Sequence, residues 1–206
     1  MDESQTSPGM RRLDEARIAR WVDALMADDV EPIQAVFSSH GARGPKVQWN
    51  PAPGDTQLAP LDFILAHVRA LAGAQALARA SQIDAQNMRP AIGFISLLDV
   101  VDGGADFRYR LFGTIPTAIT GFDMTGRRLS EHGASPYMVE YFIATYRAML
   151  RRGEPIFTVH GPPEAVKTNA WHRVAAPLAD DRGTIIRFVS VNVPVGRSGK
   201  PIRTAL

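Results

Sequence analysis

Five histidines, His40, His67, His132, His160 and His172, are the first side chains in this 206-residue chain with a pKa suited to acid–base or ligand chemistry. None is spaced as a helical HxxxH pair or as half a zinc finger, so no metal site is expected. With no cysteine, the sequence has no disulfide, thiolate–metal site, cysteine nucleophile or cysteine–flavin adduct. A G-x-S-x-G elbow, a phosphate-binding P-loop and a G-x-G-x-x-G turn are all missing. Gly196-Arg197-Ser198-Gly199-Lys200-Pro201 has phosphate-loop composition without its spacing, and it reads as a solvated end. His172 is the most informative histidine. Strand alternation in Trp171-His172-Arg173-Val174 puts His172, Val174 and Ala176 on one face and Trp171, Arg173 and Ala175 on the other. If the first face is internal, His172 is a polar group in an apolar pocket; otherwise it is an ordinary cross-strand neighbour. Ser190 and Asn192 alternate together beside Ile186 and Phe188, as a pocket lining or as a buried hydrogen-bonding spot. Arg108 and Arg110 are expected to point outward, since a buried unpaired guanidinium is costly, which leaves Tyr109 as the inward polar handle. Tyr137 and Tyr141, four residues apart, can approach the same interior or serve as core aromatics. His67 reads as a core histidine bonded to a carbonyl.

The elements that must position these residues follow from periodicity. Residues 1–9 are polar and aperiodic, as in a disordered start. From about residue 10 to 27, Ile18, Trp21, Val22, Leu25 and Met26 recur at helical spacing. Residues 32–37 add a turn or two, and residues 40–60, rich in Gly and Pro, read as a linker. A second amphipathic helix runs from about 61 to 79. Beyond Pro90 the pattern becomes strand-like: 92–101 and 107–112 form a hairpin about Asp102-Gly103-Gly104. Ser135-Pro136 opens a helix that Gly153 closes. Strands follow at 155–160, 170–178 and 184–193, the last two joined by Asp180-Asp181-Arg182-Gly183. The fold class is therefore α+β, an antiparallel sheet with residues 114–152 covering one face. Parallel strand pairing, or helices on both faces, would end this reading of the arrangement.

Leu111-Phe112-Gly113-Thr114, Thr120-Gly121-Phe122-Asp123-Met124-Thr125-Gly126-Arg127-Arg128-Leu129 and Arg151-Arg152-Gly153-Glu154-Pro155 together resemble the PAS-domain pattern. Phe107 to Thr114, Gln82-Ile83-Asp84 before Leu97-Leu98-Asp99-Val100, and Ala176 to Asp181 are similar to a proteobacterial subgroup (PAS_5-like) whose members carry a single PAS domain. The resemblance covers residues 61–195. It implies a five-stranded antiparallel PAS-like sheet with covering helices that enclose a small cavity, here with an N-terminal helical extension. The implied division is 1–60 as start, helix and linker, 61–196 as the PAS-like domain and 197–206 as a flexible tail. Pro162 and Pro163 depart from the pattern and imply a short third strand. Haem-binding members carry a proximal histidine on a covering helix; 115–122 and 136–151 have none, so no cofactor is expected.

The function so implied is a non-enzymatic, cytoplasmic sensory protein that binds a small apolar or amphipathic molecule. Association through the helix at 10–27, as a homodimer or with a signalling partner, would report its occupancy. Tyr109, Tyr141, His172 and Asn192 are the expected polar contacts, with Phe112, Thr114, Phe122 and Ser190 completing the ligand site. Two other readings stay open. One is an interaction module whose interior is filled by Phe94, Phe112, Phe122 and Phe142. The other is a small-molecule enzyme using His172. A cavity of about 300 Å³ or more would favour sensing. A net charge of +2 without a basic stripe argues against nucleic acid, and the absence of a long apolar run argues against a membrane.

Overall fold

The computed structural model describes residues 13–161 and 168–202. The expected disordered start, residues 10–12 of the first helix, the prolines at 162 and 163, and the end of the tail lie outside the described residues. The chain folds as α+β. It contains α1 (Glu15–Met26), α2 (Glu31–Ser39), β1 (Lys46–Trp49), α3 (Ala59–Ala72), β2 (Ile95–Val101) and β3 (Asp106–Leu111). These are followed by α4 (Thr114–Thr120), α5 (Pro136–Arg152), β4 (Ile156–His160), β5 (Ala170–Ala179) and β6 (Ile185–Val195). All strand pairs are antiparallel, in one sheet ordered β1-β4-β5-β6-β2-β3. The expected five strands are joined by a sixth, β1, from the stretch read as a linker. Val47 and Trp49 pair with β4 and rest on the core, and the Trp49 indole N–H donates to the Leu25 carbonyl at 3.2 Å. Glycines and prolines around this four-residue strand mask it in the sequence.

The one-sided cover expected for the sheet is corrected. β5 and β6 are apolar on both faces, so both faces must be covered. On one side Leu98, Phe107, Ala175 and Phe188 pack with α1, α2 and α5. On the other, Val174, Ala176, Leu178, Val189 and Val191 pack beneath Leu61, Ile64, Leu65 and Val68 of α3. That helix ends at Ala72, earlier than expected, because Gly73 takes a positive φ of 56°. His67 is also corrected: its Nε2 has no hydrogen-bond partner, and its ring stacks on Phe63 at 5.3 Å.

α5 is buried on nearly every side. One flank meets the sheet, and another meets the α1 stripe of Ile18, Trp21, Val22 and Leu25, each at most 2% exposed. Burial of such side chains stabilises the pairing by roughly 2 kcal/mol apiece. Charges fix the register. Glu140, 1% exposed, accepts from Arg17 Nε at 2.6 Å and from the Asp14 N–H at 2.8 Å. Arg147–Glu15 and Arg151–Asp23 flank it on the surface. The expected association through the α1 stripe is thus met by an occupied surface: the stripe is already covered within the chain.

A one-residue irregularity matters for the site. Leu97 pairs with Leu111 while Leu98 pairs with Tyr109, so Arg110 is extra and parity flips after it. Leu111, expected on the face of Tyr109, is 43% exposed, and Phe112 turns inward. Gly113 then starts α4 where a Cβ would lie 2.5 Å from the Gly93 carbonyl oxygen and 2.9 Å from that of Ile95.

Two outcomes are expected from urea titration. Gly113→Ala costs about 2–3 kcal/mol, because the clash is with backbone. Arg17→Met costs about 2 kcal/mol at pH 7 and Glu140→Gln less, because only the former strands a buried carboxylate. Equal losses in the last pair would contradict the buried-charge account.

Candidate functional site

The loop between α4 and α5 is sewn onto β3. The Tyr109 N–H donates to the Arg127 carbonyl at 2.9 Å, and the Gly126 N–H donates to the Tyr109 carbonyl at 2.7 Å. The Ser130 hydroxyl donates to Asp106 at 2.7 Å, and the Phe112 N–H donates to the Thr125 hydroxyl oxygen at 3.1 Å. These bonds hold Phe122 and His132 opposite α5. Between α4, this loop, α5 and the sheet lies a cavity of about 370 Å³. Its walls are mostly apolar: Pro116 and Ile119 of α4, Met138, Phe142 and Tyr146 of α5, and Trp171 of β5.

Four expected contacts meet in this cavity: Tyr109, Phe112, Phe122 and Asn192. Four others are not among its described lining residues. Thr114 is exposed at the first turn of α4. Tyr141 is fully buried on α5 against Phe37 and His160. Ser190 is buried just beneath the wall, where its hydroxyl oxygen accepts from Asn192 Nδ2 at 3.3 Å. His172 is a correction: it lies on the opposite face, 6.0 Å from the Phe157 ring, in the company of α3-side residues. Its pKa is lowered by burial and by Arg43. The reason is register. Arg173 pairs with Asn192 and Ala175 with Ser190, so the alternate set, Trp171 and Arg173, shares the cavity face. Arg110 does point outward, with Asp99 at 3.5 Å. Phe94 fills the α3-side core rather than the cavity.

The lining residues that were missed include Thr120 and Ser135 and three with basic nitrogen groups, Arg173, His132 and His160. Arg173 is 3% exposed, with its guanidinium carbon 5.8, 5.2 and 5.5 Å from the ring centres of Tyr141, Phe142 and Tyr146. His132 is enclosed by Tyr109, Phe112, Phe122 and Phe142, and its Nδ1 accepts from the Ala134 N–H at 3.1 Å. His160 ends β4 beside Tyr141 and Phe142. The signal for Arg173 was its parity with Ser190 and Asn192 across the last hairpin. His132 had none, because it sits in a loop.

Burial lowers His132 to a pKa of about 4. Burial, with Arg173 and His172 adding repulsion, lowers His160 to about 3. Both are therefore neutral near pH 7, and Arg173 is the cationic side chain among the described lining residues. Among the described residues no cluster of His, Asp and Glu could hold a metal ion, and no helix is long and apolar enough to cross a membrane.

Because both histidines titrate lower when folded than the ordinary 6.5, the unfolded chain takes up protons first. Stability is therefore full above about pH 6.5 and declines as the pH falls toward 4. His132→Asn is expected to remove on the order of 3 kcal/mol of that decline, measured by urea titration from pH 7 to 4. An unchanged slope would show that His132 is not buried as described.

No family model matches the chain, and no curated protein does. Among solved structures it is similar to "Flavin Analogue Sheds Light on Light-Oxygen-Voltage Domain Mechanism", at 20% identity and a TM-score of 0.40 over 55% of this chain and 84% of that one. It is also similar to "The light state structure of the blue-light photoreceptor Aureochrome1 LOV", at 16% identity and 0.38 over 55% and 90%. A third likeness, to "Structure of an RNA-binding Light-Oxygen-Voltage Receptor", has 16% identity and a TM-score of 0.39. It spans 88% of this chain but about half, 48%, of that one.

Proposed function

We propose that this chain is a PAS-type sensory protein of the single-PAS subgroup, acting without catalysis in the cytoplasm. A small amphipathic molecule occupies the cavity, and occupancy is read out as protein–protein association through α1. The observation that carries this reading is the cavity of about 370 Å³ with aromatic walls and a few convergent polar groups, the usual make-up of a ligand site. A module with a phenylalanine-filled interior would lack that space.

α5 supplies the link between ligand and output. Met138, Phe142 and Tyr146 line the cavity, while Glu140, Arg147 and Arg151 of the same helix hold α1. A ligand that binds two placements of α5 with different affinity shifts the population between them, and with it the grip on α1. Release of α1 would expose Ile18, Trp21, Val22 and Leu25 to a second copy or a signalling partner, in exchange for the contacts they make within the chain. Phosphate-backbone binding and membrane insertion form no part of this reading.

Thermal melting against a panel of acidic, basic and neutral metabolites is expected to yield compounds that raise the Tm of the full chain. Ile119→Trp, which fills the cavity from α4, is expected to abolish those shifts while melting within a few degrees of the parent. A panel with no shift, together with no co-purified mass in native mass spectrometry, would overturn the sensory reading.

A further inference from the structure

Arg173 stands near the middle of the sheet, paired with Thr158 of β4 on one side and Asn192 of β6 on the other. Its side chain enters the cavity wall, yet Nε and Nη2 have no hydrogen-bond partner among the described residues. No aspartate or glutamate is among the described lining residues. The three aromatic rings around it stabilise positive charge through their faces, but they leave the in-plane N–H groups unmet. Buried charges are normally paired, and unpaired guanidinium N–H groups in an interior are rare enough to need an explanation. An oxyanion in the cavity would supply the missing acceptors. Nε and Nη2 form one edge of the planar group, an edge that takes the two oxygens of a carboxylate side by side, and both nitrogens are shielded from water in the structure.

The surroundings narrow the ligand further. Asn192 lies directly across from Arg173 and carries a side-chain amide beside the same head-group position. His160 adds a buried Nδ1 that also lacks a partner. Away from this corner the walls are chiefly Phe112, Phe122, Met138 and Ile119, with the neutral His132, Thr120 and Ser135 among them, and none offers a second charge near pH 7. The cavity thus has one cationic corner and a mostly apolar, uncharged body.

We propose that the cavity's ligand is an amphipathic monocarboxylate, its head group paired edge-on with Arg173 and its aromatic or aliphatic body packed among the rings. This rests on the sensory reading of the same cavity and gives its ligand a chemical class. A phosphate monoester presents oxyanion chemistry to the same edge and is separated by experiment.

Isothermal titration calorimetry of the full chain tests the assignment with matched probes: octanoate against octanamide, 3-phenylpropanoate against 3-phenylpropanamide, and 2-phenylethyl phosphate. At least one acid is expected to bind about tenfold or more tightly than its amide, the usual margin for a charge-assisted pair. Arg173→Met is expected to erase that preference, and Arg173→Lys to reduce it, since lysine keeps the charge without the planar edge. The ligand-free Tm of Arg173→Met is expected not to fall, because an unpaired interior charge is being removed. A lower ligand-free Tm with the acid preference intact would make Arg173 a structural residue and overturn the proposal. If Arg173→Met does not fold, Arg173→Lys and Arg173→Gln carry the comparison. Amides binding as well as acids would overturn the carboxylate assignment and leave the cavity a ligand site. Tighter binding of the phosphate ester than of both acids would overturn it in favour of a phosphate. Failure of every probe, while other compounds still raise the Tm in the metabolite panel, would overturn the class alone; failure of both sets would end the sensory reading as well.

Discussion

The two long central strands have no polar face, and most of the architecture follows from that constraint. Val174, Ala176, Val189 and Val191 point one way, and Ala175 and Phe188 the other; all six are essentially removed from water. A sheet of this kind cannot leave either side to solvent without exposing a continuous apolar surface. α3 covers one side. The other side takes α5, which itself needs a further cover because apolar residues surround it, and α1 and α2 supply that cover. The N-terminal helices are in this sense an outer layer of the same core.

Within this apolar frame a group of polar side chains gathers at the cavity. Arg173 and Asn192 interrupt the central strands at paired positions, and His132 and His160 approach from a loop and a strand end. Low polarity around these groups strengthens whatever electrostatic interaction a ligand makes there, and it makes an unmet N–H costly. The same low polarity holds both histidines neutral near pH 7, so the charge of the site resides on a group that does not titrate in the biological range.

α5 connects the two regions because opposite flanks of one helix carry different chemistry. The cavity flank is aromatic and thioether, suited to adapt its packing. The outer flank bears Glu140, Arg147 and Arg151 in ion pairs with α1. The surface pairs are each worth little, while the buried Glu140 makes the docked position of α1 sensitive to small displacements.

Local pattern was enough for the elements themselves. The hairpin about Asp102-Gly103-Gly104, the helix bounded by Ser135-Pro136 and Gly153, the inward Tyr109 and the α1 stripe depend on turn chemistry and periodicity, which neighbours in sequence supply. Inter-element decisions were not legible. Alternation in β5 offered two apolar faces and no polar one, so it could not say whether His172 or Arg173 looks into the cavity; pairing with β6 chose Arg173. The extra residue at Arg110 exchanged the faces of Leu111 and Phe112, and it exists only relative to β2. β1 needs β4 beside it to be a strand at all, and His132 becomes a cavity residue only because its loop is bonded to β3. Sequence by itself determined most of the helices, strands and turns, β1 excepted, because those energies are mainly local. Tertiary structure decided which side chains share an interior, because register and layering are set by contacts between segments far apart in the chain.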